Sequence, residues 1–193
     1  MQKKKNQGKL FVISSPSGGG KTTLAEKALK SDAKLCRSVS MTTREARGQE
    51  VNKKDYHFVS LDFFKKAIIK KSFLEYAKVF SQYYGTPKKF VNQKRQTGKD
   101  VLLVIDVQGA EQIKRNDDSA ILIFIMPPSM QVLKNRLKQR STDAAPEIKR
   151  RLRVAQAEMN RSSNYDYVII NGDLKQSAAE LKAIIIAERL RQK

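Results

Sequence analysis

The sequence predicts an α/β protein with a parallel sheet core flanked by helices. Its 193 residues match one domain, or one domain with insertions, since domains usually hold roughly 100–200 residues. Apolar residues make up 40% of the chain, enough to build a hydrophobic core. They form short continuous runs, and helical patterns follow most of these runs. Continuous runs are typical of strands buried on both faces, and strand–helix alternation indicates a layered architecture.

Four apolar runs have the length of strands and are followed closely by polar, proline or glycine residues. They are Leu10–Ile13, Val101–Ile105, Ile121–Ile125 and Tyr167–Ile170. Helical patterns follow at Thr22–Lys30, Met130–Arg140 and Leu174–Arg191. Asp173 suits the N-cap of the last helix, because its carboxylate can accept from first-turn N–H groups.

Further elements are predicted in two basic segments. Residues 38–60 have the pattern of short strands with polar loops. Residues 146–161 predict a charged helix. Residues 61–71 predict a helix that turns lysines outward and the following side chains inward: Phe63, Phe64, Ala67 and Ile68.

Several classes of protein are disfavoured by composition. No apolar run approaches the roughly 18 residues that a membrane span needs. The lysine-rich start has no apolar stretch after it, so a secretory signal is not expected. Cys36 is the single cysteine and can form no internal disulfide. We therefore expect a cytoplasmic protein.

The formal net charge of +20 favours a polyanionic partner such as nucleic acid, anionic lipid or a phosphorylated small molecule. The charge is concentrated in residues 1–9, 38–90 and 129–161, while the strand-bearing remainder is close to neutral.

A phosphate-binding loop follows the first predicted strand. The residues Ser15, Pro16, Ser17, Gly18, Gly19, Gly20, Lys21, Thr22 and Thr23 match the pattern G-x-x-x-x-G-K-[ST], with serine in place of the first glycine. Backbone N–H groups of such a loop cradle phosphates, and the helix N-terminus adds positive potential. Lys21 would reach the β- and γ-phosphates, and the Thr22 hydroxyl would hold Mg²⁺. Asp106, after the second predicted strand, is a further Mg²⁺ ligand candidate; the alternative for the loop is a plain glycine-rich turn.

The order and spacing of several further stretches resemble the guanylate kinase family from about residue 9 to 191. They are 15–23, 38–44 with Arg47 and Glu50, 55–56, 73–75, 83–86, 105–109, 127–129, Arg136, Arg140, Arg151 and Asn171. The resemblance implies Mg²⁺-dependent phosphoryl transfer from ATP to GMP. It also implies a core of 10–38, 90–131 and 161–193, a GMP-binding arm at 39–89 and a helical lid at 132–160, while the basic tail at 1–9 falls outside the resemblance.

Residue roles follow from the resemblance. Lys21, Arg136, Arg140 and Arg151 would stabilise charge on the transferring group, and Asn171 would join residues 15–23 in binding ATP. Glu75 would accept the two N–H donors of guanine, a pair that adenine lacks. The remaining GMP ligands would be Ser40, Arg44, Arg47, Tyr56, Tyr84, Thr86 and Asp106. No general base is needed, since the GMP phosphate oxygen is already anionic, and packing roles are expected for His57 and Cys36.

Two departures from the family pattern stand at Val104 and Gly172, where the family often has acids. We expect Val104 to alter the affinity for Mg²⁺ or for the acceptor, and Gly172 to loosen the loop around adenine. One alternative function is a guanylate-kinase-like scaffold without activity, which the intact phosphate loop and arginines disfavour. Another is a nucleic-acid-binding ATPase, which the 7% aromatic content without tryptophan disfavours. We expect no nucleic-acid or membrane partner. Oligomeric state and the use of dGMP stay open, as does the surplus of lysines, which would steer nucleotides or keep the protein in solution.

Overall fold

The computed structural model describes residues 7–79, 81–140 and 145–192. The basic tail predicted at 1–9 therefore lies mostly outside the described residues. The strands are β1 Leu10–Ser14, β2 Leu35–Arg37, β3 Met41–Thr42, β4 His57–Phe58, β5 Phe73–Val79, β6 Gln82–Pro87, β7 Asp100–Val104, β8 Ile121–Met126 and β9 Tyr167–Ile170. The helices are α1 Lys21–Ser31, α2 Leu61–Ile69, α3 Lys88–Gln96, α4 Val107–Asn116, α5 Met130–Arg140, α6 Ala145–Met159 and α7 Leu174–Leu190, with a 3₁₀ turn at Ser162–Asn164.

The strands described by the structure form two sheets. One has the order β2-β7-β1-β8-β9, and the pairs β2–β7, β1–β8 and β8–β9 are parallel. The other has the order β4-β3-β6-β5, in which β6 runs antiparallel to both β3 and β5. The predicted α/β fold with a parallel central sheet is confirmed.

The chain divides into two compact units. Within the described residues, the first unit holds 7–10, 34–79, 81–103 and 108–120, and the second holds 11–33, 104–107, 121–140 and 145–192. The predicted limits of core, arm and lid are not tested by this division and stay a prediction.

In the second unit, strand packing follows the apolar runs. All of β1 is buried, and Phe11 of β1 pairs with Ile121 of β8. Helices α5 and α6 pack through a small cluster formed by Leu133, Leu137 and Ala155. The predicted N-cap of α7 is confirmed, since the Asp173 side chain accepts from the Gln176 N–H. Polar residues follow directly where β1 and β9 end, at Ser15 and Asn171.

In the first unit, α2 packs on the four-stranded sheet, which is mixed because β3 and β4 pair in parallel. Phe64 is fully buried and stacks on Phe73 with a ring distance of 4.6 Å. The prediction that Phe63 also faces inward is wrong, because its side chain is 52% exposed. Successive side chains on a helix point about 100° apart, so Phe63 and Phe64 cannot both face the sheet. Elements β2, β5, β6, α3 and α4 were not predicted from the sequence.

Within the described residues, none of the helices combines the length and apolar character needed to cross a membrane.

Candidate nucleotide-binding sites

The loop between β1 and α1 is shaped for close backbone approach. Gly18 and Gly20 have φ angles of +87° and +95°, which side-chain-bearing residues rarely adopt. A Cβ added at Gly20 would lie 2.2 Å from the Asn171 Nδ2 atom. Gly20 is also the N-cap of α1, and it offers no side chain to the first-turn N–H groups. A helix N-terminus without a side-chain cap is suited to bind an anion such as phosphate.

Asn171, at the end of β9, ties this loop to α5. Its buried side chain donates from Nδ2 to the Gly19 carbonyl at 2.9 Å. Its own carbonyl accepts from Nη2 of Arg136 at 2.9 Å. The Nη1 atom of Arg136 is buried and has no hydrogen-bond partner among the described residues. Asn171 thus orients both the loop and Arg136; its contact with adenine stays a prediction.

A cavity of about 260 Å³ opens beside the loop. Residues from the loop, α1, α5 and the segment after β9 line it, including Gly18, Gly20, Thr23, Arg136, Asn171 and Gly172. Gly172 lies on the wall, and among the described residues a Cβ at this position would meet Pro128 alone, at 3.6 Å. Glycine at position 172 is therefore not needed to avoid a steric clash. Its missing side chain leaves this part of the cavity wall open.

Helix α6 contributes a second arginine group. Glu147 accepts hydrogen bonds from Arg150 at 2.7 and 2.8 Å and from Arg151 Nε at 3.1 Å. These two arginines lower the pKa of Glu147 to about 2. The carboxylate therefore stays charged and holds Arg151 in place. The side chain of Arg140 lies outside the described residues, so its place beside Arg136 stays a prediction.

Glu158 of α6 joins the electrostatic environment of the phosphate loop, although no sequence pattern predicts this. Burial raises the pKa of this half-buried carboxyl to about 7, with Asp106 adding to the rise and Lys21 and Arg161 opposing it. Glutamate is common on charged helices, so only the fold reveals that this one faces Lys21 and Asp106.

The donor set for a metal is small. Thr22 offers a hydroxyl at the start of α1, and Asp106 a half-buried carboxylate after β7. The described residues contain no cluster of three or more acidic, histidine or cysteine side chains suited to a metal. Mg²⁺ in nucleotide sites takes one or two protein oxygens and completes its shell with phosphates and water. The residues present therefore fit Mg²⁺ that arrives with a nucleotide.

The first unit holds a separate polar site built around Arg44. This side chain is 9% exposed, and its two Nη atoms reach the Glu50 carboxylate at 2.8 and 2.9 Å. Burial works against the charge of Arg44, but hydrogen bonds to Glu50 and Tyr84 raise its pKa. The same hydrogen bond from Arg44 lowers the pKa of Glu50. The resemblance assigns no role to Glu50, and the structure shows that it orients Arg44.

Two tyrosines flank this arginine. The rings of Tyr56 and Tyr84 meet edge-to-face at 5.9 Å, and the Arg44 guanidinium lies 5.3 Å from the Tyr56 ring centre. Burial raises the pKa of Tyr56, so its phenol keeps its proton at neutral pH and can donate it to an anion. Arg47 is exposed, and its backbone N–H donates to Glu50 at 2.8 Å.

A buried hydrogen-bonded pair, Glu75 on β5 and Thr86 on β6, lies in the same unit. Glu75 and Thr86 are 3% and 0% exposed, and the threonine hydroxyl donates to the glutamate at 2.5 Å. Ser40, 8% exposed, precedes β3. A buried carboxylate held by one hydroxyl can read a planar base that presents two N–H donors. His57 takes no part in this pair, and burial, followed by the charge of Lys53, lowers its pKa.

The family model for guanylate kinase matches residues 7–188. The chain belongs to the guanylate kinase family. Guanylate kinase from Caldanaerobacter subterraneus subsp. tengcongensis is 46% identical over 187 residues, covering 97% of this chain and 91% of the relative. That from Rickettsia prowazekii is 46% identical over 185 residues, covering 96% and 94%. The crystal structure of guanylate kinase from Anaplasma phagocytophilum superposes with a TM-score of 0.83 at 36% identity, covering 97% of this chain and 89% of the other.

The protein is therefore a nucleoside monophosphate kinase, and the known reaction of its family is phosphoryl transfer from ATP to GMP. The two compact units of the chain each contain one set of predicted residues. The second unit brings together the phosphate loop, Asp106, Arg136, Arg151 and Asn171. The first collects Ser40, Arg44, Arg47, Tyr56, Glu75, Tyr84 and Thr86. Asp106 was also predicted to bind GMP, and it lies in the second unit.

Proposed function

We propose that this chain transfers the γ-phosphoryl group of ATP to GMP, giving ADP and GDP. The observation that carries the proposal is the buried Glu75–Thr86 pair. A phosphate loop alone indicates only a nucleoside triphosphate, whereas this pair selects the acceptor. Guanine presents N–H donors at N1 and N2, and a carboxylate accepts both. Adenine would leave the buried carboxylate without those partners, which is costly in a desolvated site.

Donor binding would rest on the loop backbone. The N–H groups of residues 18–20 and the start of α1 would surround the phosphates, and Lys21 would add a charge near the transferred group. The hydrogen bond from Asn171 to Gly19 supports a loop that is already shaped before nucleotide binds. Preorganised donors need no rearrangement during the reaction and so contribute most to catalysis.

Acceptor binding would place the GMP phosphate against Arg44, Arg47, Tyr56 and Tyr84. The Arg44 guanidinium is already fixed by Glu50, and the buried Tyr56 hydroxyl, whose pKa is raised by burial, remains a protonated donor. The attacking atom would be a phosphate oxygen of GMP, so the protein must position it in line rather than remove a proton. Arg136, Arg140 and Arg151 would neutralise charge on the transferring group.

Mg²⁺ is proposed as the cofactor, held by Thr22 and Asp106. When bound, it would neutralise charge on the β- and γ-phosphates. We also propose that the enzyme acts in the cytoplasm, where a reduced cysteine such as Cys36 persists.

A panel of nucleoside monophosphates tests this function. With ATP and Mg²⁺, ADP formation should depend on GMP, or on dGMP, and should stay at background with AMP, CMP and UMP. Background ADP formation with every acceptor would show an inactive scaffold. Equal rates with GMP and AMP would remove Glu75 and Thr86 from the recognition of guanine.

A further inference from the structure

Arg37, the last residue of β2, is a charged side chain for which the sequence predicted no role. Its Nη2 atom donates to the carbonyl of Asp55 at 3.3 Å. Its Nε is buried and has no hydrogen-bond partner among the described residues. Buried polar atoms of folded proteins nearly always have partners, so an exception calls for an explanation.

The segment that Arg37 holds is a tight loop leading into Tyr56. Within this loop Asp55 donates its N–H to the Val51 carbonyl at 3.0 Å, and its carboxylate accepts from the Val51 N–H at 2.8 Å. Lys53, at a φ of +68°, donates to the Tyr56 carbonyl at 2.7 Å. The loop thus satisfies many of its own groups, and Arg37 attaches it to β2.

Arg37 also places a positive charge near the Tyr56 phenol. Burial raises the pKa of Tyr56, and the charges of Arg37 and Arg44 both act against that rise. A phenol with nearby positive charge is a stronger donor to an anion. The Arg44 guanidinium lies 5.3 Å from the centre of the same ring, so the charges of two guanidinium groups act on this one tyrosine.

We propose that Arg37 is a positioning residue of the acceptor phosphate site, which fixes the Asp55–Tyr56 backbone and strengthens the Tyr56 hydroxyl as a donor to the GMP phosphate. This inference rests on the proposed function, because it takes Tyr56 as a ligand of that phosphate. Arg37 acts through Tyr56, and its effect is confined to ligands that carry the phosphate.

The test measures binding of GMP and of guanosine to Arg37→Met by titration calorimetry. The variant should bind GMP about fivefold more weakly, the scale of one partly screened charge, and should bind guanosine unchanged. Arg37→Gln, which keeps a donor for the Asp55 carbonyl but no charge, should show a phosphate-specific loss smaller than that of Arg37→Met, because only the effect of the charge is removed. Arg37→Lys, which restores the charge, should recover at least half of the loss on a logarithmic scale.

A second background isolates the route of the effect. In Tyr56→Phe, adding Arg37→Met should weaken GMP binding by less than about twofold, since the hydroxyl through which Arg37 acts is gone. An undiminished loss in that background would overturn the proposal, and so would an equal loss for guanosine or no loss at all. Arg44→Met run in parallel tests the site itself. If Arg44→Met shows no phosphate-specific loss, the assigned GMP site fails; if only the Arg37 variants lack it, this inference alone fails.

Discussion

Replacing Glu75 by glutamine tests how the base is recognised. The change keeps the side-chain volume but removes a charge from a side chain that is 3% exposed and already accepts a hydrogen bond from the Thr86 hydroxyl. A hydrogen bond to a charged partner contributes about 1.5–3 kcal/mol, so GMP affinity should fall about 10- to 150-fold. The affinity for ATP should change less than about twofold, because Glu75 lies outside the unit that holds the phosphate loop.

A second acceptor nucleotide, IMP, serves as a matched control for that variant. IMP lacks the N2 amino group, so it offers Glu75 one donor instead of two. The wild-type protein should therefore prefer GMP over IMP, and Glu75→Gln should reduce that preference. Glu26→Gln, an exposed substitution on α1, controls for the loss of one negative charge. Steady-state kinetics with each acceptor would refute the reasoning if the preference for GMP over IMP were unchanged, or if the KM for ATP rose more than that for GMP.

The other predictions concern charge. Lys21→Ala should lower kcat about 10²- to 10³-fold, which is the usual cost of removing one preorganised stabilising group. Lys27→Ala, on the exposed side of α1, should leave kcat unchanged. Equal rates for the two variants in a coupled ADP assay would contradict the catalytic role assigned to Lys21. Glu158 has a pKa raised from 4.5 to about 7, so the folded state binds its proton more tightly and stability falls as the pH rises from 4.5 to 7. Glu158→Gln should therefore stabilise the nucleotide-free protein by about 1–3 kcal/mol more at pH 8 than at pH 5, measured by urea unfolding, and an equal effect at both pH values would count against it. If the surplus of lysines steers nucleotides, kcat/KM for GMP should fall between about 0.05 and 0.5 M salt while kcat stays flat; a flat kcat/KM would eliminate steering.

The phosphate loop was predictable because its information is local. Loop, preceding strand and following helix occupy Leu10–Ser31 without interruption. Glycines at positive φ and a lysine at the helix start are read directly from the sequence. The N-cap at Asp173 was predictable for the same reason, since its acceptor and donor lie three residues apart. Signals of this kind depend only on backbone geometry over one or two turns.

Strand β5 was missed because its functional residue breaks the pattern. Along this strand Glu75 and Ala77 are buried, while Tyr76 and Lys78 are exposed. The strand therefore alternates in burial but not in hydrophobicity, because an acid occupies an inward position and an aromatic residue an outward one. Period-2 hydrophobicity detects strands whose inner face is apolar. A strand with a buried carboxylate violates that rule, and here the violation falls on Glu75, the residue proposed to bind guanine.

The contacts that orient the site could not be predicted, because they join residues distant in sequence. Arg136 and Asn171 are separated by 35 residues, and Asn171 and Gly19 by 152. Each pair fixes the direction of a polar group at the candidate site, so part of the desolvation of these groups is compensated during folding. The resemblance to guanylate kinases predicts which residues contact nucleotides, but it does not say what holds them. Asn171 illustrates the difference: a residue expected to contact adenine also supports the phosphate loop and Arg136, so its replacement should disturb both ends of the ATP molecule.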